Sequence, residues 1–140
     1  MLQAVQQLES HIVSEIKRDM ERLRQEVEAS LNFTDSGYVF EELVELAESG
    51  QWQWWSDDAS FCMSCITDTP KRKVCYIPIA GGKLEDVLAI HDRIKEFAIA
   101  QDADCMACGG RLGWAKMMKA RGYRVYSECV LDLRENQNAN

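Results

Sequence analysis

The chain is poor in the residues that prevent packing. It has 2 prolines and 8 glycines in 140 residues, which excludes collagen-like and proline-rich extended classes. No apolar run exceeds a few residues, so no segment is expected to cross a membrane. The N-terminus lacks a basic stretch followed by an apolar one, so no signal peptide is expected. Residues 36–70 contain no basic residue at all and 7 acidic ones (net −7). An acidic middle of this kind argues against wrapping nucleic acid, whose phosphates it would repel.

What is present is enough for one compact domain with an appendage. Hydrophobic residues make up 46% and charged residues 28%, a balance that supports a core. The formal charge is −7, divided as net −3 over residues 1–35, −7 over 36–70 and +3 over 71–140. The basic side chains of the C-terminal half, Arg111, Lys116, Lys119, Arg121 and Arg124, form a rim able to meet an anionic or acidic partner.

Six cysteines with no expected signal peptide point to a reducing compartment and free thiols. Two pairs have CxxC spacing, Cys62/Cys65 and Cys105/Cys108. The first pair lies in a strand-like stretch, where residues three apart face opposite ways. The second precedes Gly109-Gly110 and is the better zinc knuckle of the two, yet the long interval between the pairs does not suit a compact four-thiolate site. Small apolar fillers are the expected role of these thiols, and no metal ligands are assigned.

Apolar residues at Val5, Leu8, Ile12, Ile16, Met20, Leu23, Val27 and Leu31 recur at a mean spacing near 3.7 residues and predict one long amphipathic helix over 2–31. Its stripe must dock, either on its own domain or on a partner helix. The turn-rich 32–37 is the expected hinge. A short acidic helix follows with Phe40, Leu43, Leu46 and Ala47 inward, stopped by Ser49-Gly50.

The period then changes to two. Strands are expected at 51–55, 60–68 and 73–80, joined by the turns 56–58 and 69–72, with Pro70 preset for its turn. Pro78 suggests a bulge in the third strand. Trp52 and Trp54 share one face of the first strand and Trp55 takes the other, and such aromatics serve as interface anchors when uncovered. A helix over about 83–101 is expected to bury Leu84, Val87, Leu88, Ile94, Phe97, Ala98 and Ala100. A short strand at 104–108, a helix at about 111–120 capped by Gly122, and a last strand at 123–133 complete the order. The fold class is α+β, β-β-β-α-β-α-β after a long helix, divided as 1–35, 36–134 and a polar tail 135–140.

That order, with Gly110-Arg-Leu-Gly-Trp114 and Ala120-Arg-Gly-Tyr-Arg-Val-Tyr126, resembles the end of a GNAT-type N-acetyltransferase. Residues 38–133 more narrowly resemble GNAT-like proteins of tailed bacteriophages, through Phe40-Glu-Glu-Leu-Val, Gly50-Gln-Trp-Gln, Ile79-Ala-Gly-Gly-Lys-Leu-Glu-Asp, Gly113-Trp114 and Arg121-Gly-Tyr123. The N-terminal helix lies outside the resemblance.

The resemblance implies a strand-to-helix turn carrying Arg/Gln-x-x-Gly-x-Gly/Ala, whose N–H groups hold the coenzyme A pyrophosphate. Here the turn is Ala80-Gly-Gly-Lys-Leu-Glu-Asp86, and the motif is not matched. If acyl-CoA binds, Ala80, Gly81, Gly82 and Lys83 are its residues. Glu85 and Asp86 instead complement the helix dipole and would repel a diphosphate. A tyrosine general acid is implied four residues before the closing glycine; that position is Met118, which has no proton to give. Tyr123 and Tyr126 are expected in packing, and His91 and His11 on the surface, so no catalytic residue is assigned.

These departures imply a non-catalytic GNAT-like phage protein that acts by protein contacts in virion structure or assembly. Its partners would be other virion proteins or a second copy, met through residues 1–31. Its setting would be the host bacterial cytoplasm and the virion. The alternative is a divergent N-acyltransferase that uses acetyl-CoA.

Overall fold

The computed structural model describes residues 15–33, 37–109, 112–126 and 129–134. His11, Arg111, the centre of the expected hinge and the tail 135–140 lie outside them. The chain falls into two compact units, residues 1–110 and 111–140.

In the first unit the expected helix over 2–31 is described from residue 15 onward, its Val5, Leu8 and Ile12 lying outside the described residues, and within 15–33 it is interrupted at one point. Residues 15–22 (α1) and Arg24–Phe33 (α2) are helical, with a turn at Leu23 between them. The Leu23 N–H is shared between the carbonyls of Asp19 (3.3 Å) and Met20 (3.1 Å), a tightening that ends one helical segment and starts the next. The described part of the stripe, from Ile16 on, docks within its own chain. Met20, Leu23 and Val27 are buried with Phe40, Leu43, Val44 and Ala47 of helix α3 (Phe40–Glu48). The Glu42 carboxylate accepts the Val39 N–H at 3.1 Å at the start of α3, and Gly50 takes the left-handed conformation (φ 78°) past its end.

The sheet follows the expected meander and crossover. Strands β1 (Gln53–Ser56), β2 (Phe61–Asp68), β3 (Lys73–Gly81) and β4 (Cys105–Cys108) lie in that order. β1–β2 and β2–β3 are antiparallel and β3–β4 is parallel. Parallel pairing follows from the crossover helix α4 (Leu84–Ala100) between β3 and β4. The bulge expected at Pro78 is present: Met63 pairs with Ile79 and Cys65 with Tyr76, so Ile77 and Pro78 together oppose Ser64.

Alternation assigns the two sheet faces. Phe61, Met63 and Ile79 join the core under α1–α3, where Trp52 and Trp54 also pack. Trp54 stacks on Phe61 with centroids 5.2 Å apart. Trp55 takes the other face, edge-on to Phe97 of α4 at 5.4 Å, with the Arg93 guanidinium 5.6 Å from its ring centre.

Two expectations for α4 need correction. His91, expected at the surface, is buried (4% exposed), whereas Leu84 is 36% exposed and Ala100 is exposed as well. Val87, His91, Ile94 and Ala98 are spaced four, three and four, so His91 falls on the inward stripe by helical geometry. Leu84, three residues before Val87, is in phase with that stripe but is the first residue of the helix and stays exposed, and Ala100 falls on the opposite side.

In the second unit, helix α5 (Leu112–Ala120) ends as expected. Gly122 (φ 94°) donates to the Lys119 carbonyl and Tyr123 to that of Met118, both at 3.0 Å, the paired bonds of a Schellman cap. The strand expected at 123–133 is not formed among the described residues 123–126 and 129–134. Leu131 and Leu133 are 83% and 90% exposed. Alternation supplies strand propensity, but a strand exists only where a ladder partner takes its backbone groups.

Candidate functional site

The turn from β3 into α4 is where the sequence places any cofactor residues, and its geometry is set by two serines. Ser30, on α2, shares its hydroxyl proton between the carbonyls of Glu26 and Ala80, each 3.0 Å away. A β-carbon on Gly81 would lie 2.8 Å from the Phe61 ring and 3.3 Å from the Glu26 carbonyl oxygen, so only glycine fits between α2 and β2. Gly82 has φ 113°, and a β-carbon there would lie 2.6 Å from Cα and Cβ of Ser60. Ser60 is fully buried and its Oγ accepts the Lys83 N–H at 3.1 Å.

Ala80, Gly81, Gly82 and Lys83 therefore form a tight joint on the chain's own serines. Glu85 and Asp86 stand in the first turn of α4, as expected. β3 continues to Gly81, whereas β4 ends at Cys108, whose partner is Ile77, so β3 runs on past the last β4 pair.

His91 Nδ1 lies 3.2 Å from the Asp92 carboxylate. Met118, at the position of the implied general acid, is buried in the second unit. Tyr126 is exposed and its hydroxyl accepts from Arg124 at 2.9 Å. Lys116, Lys119, Arg121 and Arg124 are exposed.

The thiols of Cys62, Cys65, Cys75 and Cys108 are structural in their chemistry. Burial, reinforced by the nearby Cys108 thiol and Asp57, pushes Cys62 up to about 12. Burial, with Cys65 beside it, pushes Cys75 up to about 11, and burial alone raises Cys65 and Cys108. Protonated thiols are poor nucleophiles and poor metal ligands. Cys105 and Cys108 lie three apart in a strand, so they face opposite ways like Cys62 and Cys65 and make no knuckle. Among the described residues no group of three or more His, Cys, Asp or Glu side chains is placed to hold a metal. No described helix is long and apolar enough to cross a membrane.

Two polar networks were not read from the sequence. In the first, Asp19 on α1 accepts from Trp54 Nε1 at 2.8 Å and from the Ser56 hydroxyl. Beside it Arg22 donates to Asp19 (3.0 Å) and to the carbonyls of Asp57 (2.8 Å) and Asp58 (2.6 Å), fastening α1 to the β1–β2 turn. In the second, Trp55 Nε1 donates to Ser64 Oγ, which donates to Gln53 Oε1, both at 2.9 Å. The alternation places Gln53 opposite Ser64 and sets Trp55 on the same face, but the hydrogen bonds depend on register.

No protein-family model and no curated protein sequence matches the chain. Solved structures do. A putative acetyl transferase from Pyrococcus furiosus is similar at 21% identity and TM-score 0.55, covering 86% of this chain and 92% of that one. An aminoglycoside acetyltransferase from an uncultured soil metagenomic sample, in complex with trehalose, is similar at 9% identity and TM-score 0.59, covering 90% and 92%. A Trypanosoma brucei acetyltransferase is similar at 11% identity and TM-score 0.58, covering 86% and 94%. At these identities the likeness establishes an acetyltransferase-like, GNAT-type fold and nothing finer.

Proposed function

We propose that this chain is a non-catalytic GNAT-like protein that works through protein contacts. The observation that carries this reading is the β3–α4 turn. A coenzyme A pyrophosphate needs several outward N–H donors and no adjacent carboxylate. Here the Lys83 N–H is spent on Ser60, and Glu85 and Asp86 stand beside the helix start. The residues at this turn do not fit a diphosphate, and no step is derived through one. The reading is supported by Met118 in the acid position and by thiols held protonated by burial.

Following the phage resemblance, the proposed setting is a virion or its assembly in a bacterial host cytoplasm. The proposed partners are other virion proteins or a second copy, met through residues 1–31. Ile16, Met20, Leu23, Val27 and Leu31 pack on the chain's own core, whereas Val5, Leu8 and Ile12 of the stripe lie outside the described residues and are the proposed contact.

One observation favours the second reading, a divergent acetyl-CoA-dependent N-acyltransferase: β3 runs on to Gly81 past the end of β4 at Cys108, an edge of the kind a thioester arm would need. Calorimetric titration with acetyl-CoA separates the two. No saturable heat at millimolar cofactor is expected, and one-to-one micromolar binding overturns the non-catalytic reading. For the partner arm, replacing Val5, Leu8 and Ile12 by serine is expected to abolish co-purification of a partner or self-association without unfolding the domain. Unchanged association removes the N-terminal stripe as the contact.

A further inference from the structure

We infer that Ser30 and Ser60 make the β3–α4 turn a mechanical joint that couples the docking of the N-terminal helix to the start of α4. This rests on the proposed reading of the turn and adds to it a conformational role for two serines that have no place in acyl transfer.

Two elements far apart in sequence grip adjacent residues of one turn. From α2, Ser30 binds the Ala80 carbonyl, and the backbone of Glu26 closes on Gly81. From the start of β2, Ser60 binds the Lys83 N–H and packs on Gly82. Lys83 is itself the N-cap of α4, and its carbonyl accepts the Val87 N–H at 2.9 Å. Ser30 is buried and Ser60 fully so, so water does not readily replace either bond when it breaks. Gly81 and Gly82 have no side chain to buffer a displacement, and the contacts on them are close. A shift of α2 is therefore passed through Ala80 and Gly81 to Gly82, Lys83 and the first turn of α4. A partner that draws on the N-terminal helix would loosen the head of α4 by the same route.

The test is amide hydrogen exchange by NMR on the full chain. Ser30→Ala leaves the Lys83–Ser60 bond intact, yet the Lys83 amide is expected to exchange about fivefold faster or more, an effect of the size of one lost buried hydrogen bond. The Ile66 amide in the β2–β3 region is expected to stay unchanged, which separates local loosening from global unfolding. Reciprocity requires that Ser60→Ala speed exchange at the Ser30 amide, and this second variant serves if the first does not fold. Unchanged Lys83 exchange in Ser30→Ala, or an equal rise at Lys83 and Ile66, overturns the joint. Acetyl-CoA binding by the wild-type chain overturns the proposed function instead, so the two failures are distinguishable.

Discussion

The two faces of the sheet are packed with different chemistry. Under α1–α3 the core is aliphatic and aromatic: Met20, Leu23, Val27, Phe40, Leu43, Phe61, Met63 and Ile79. Under α4 the same strands present Cys62, Ser64, Cys75 and Ile77, facing Val87, Ile90, His91 and Ile94. The first face gains its stability from area and close packing, with polar fastenings at Asp19 and Arg22 on its rim and at the buried Ser30. The second admits polar groups into the interior, and each of these must be bonded to be tolerated.

Neighbouring residues on β2 test that contrast most directly. Phe61→Ala, on the first face, is expected to cost about 3–5 kcal/mol in urea unfolding. A cost below that of an ordinary surface substitution would break the comparison. Ser64→Ala, on the second face, is expected to cost about 1–3 kcal/mol, because it leaves the Trp55 N–H and Gln53 without their shared partner. Tryptophan fluorescence should change with it. A neutral result would mean that the polar chain is incidental. Cys62→Ala should cost about 1 kcal/mol, the loss of one small buried apolar group.

The faces also titrate at opposite ends of the pH scale. Burial alone raises the Asp19 carboxyl, but the hydrogen bonds from Ser56, Trp54 and Arg22 outweigh it and hold the group below its ordinary 3.8. Its stabilisation is therefore present above 3.8 and is lost as pH falls through the lower folded value. Asp19→Asn should flatten that acid limb. Cys62 behaves in the opposite sense. Its folded value is raised from 9.0 to about 12, so its contribution is complete below 9.0 and is lost as pH climbs toward 12. Cys62→Ala should flatten the alkaline limb. Thermal melts across pH check both signs.

The smallest effect lies at the end of α4. Asp102 occupies the left-handed position of a Schellman cap with φ 58°, its N–H bonded to Ile99 and that of Ala103 to Ala98, both at 3.0 Å. Asp102→Gly is expected to stabilise by up to about 1 kcal/mol by removing the β-carbon from that conformation. A loss of stability would show that the carboxylate has a role of its own there.

Much of this architecture was legible. Period-two segments separated by Ser56–Asp58 and Pro70 gave the meander, and Pro78 gave the bulge, because a missing N–H leaves few other arrangements. His91 escaped because its polarity was weighed above its position in the 87, 91, 94, 98 series. The 123–133 segment escaped for a different reason: its alternation is genuine, but a strand is a property of a pair. At the β3–α4 turn the glycines and the acidic helix start were visible, while the gripping serines were not. Ser30 lies 50 positions from Ala80, and Ser60 lies 23 from Lys83.

The sequence by itself determined the antiparallel meander, the crossover to β4, the helices α3 to α5 and which strand side chains share a face, since these follow from backbone periodicity and local turn chemistry. Only the tertiary structure decided that the stripe from Ile16 to Leu31 docks on its own domain, that Asp19 and Arg22 pin it there, and that two serines close on Gly81 and Gly82. Those outcomes depend on distances between residues far apart in the chain, which local pattern does not encode.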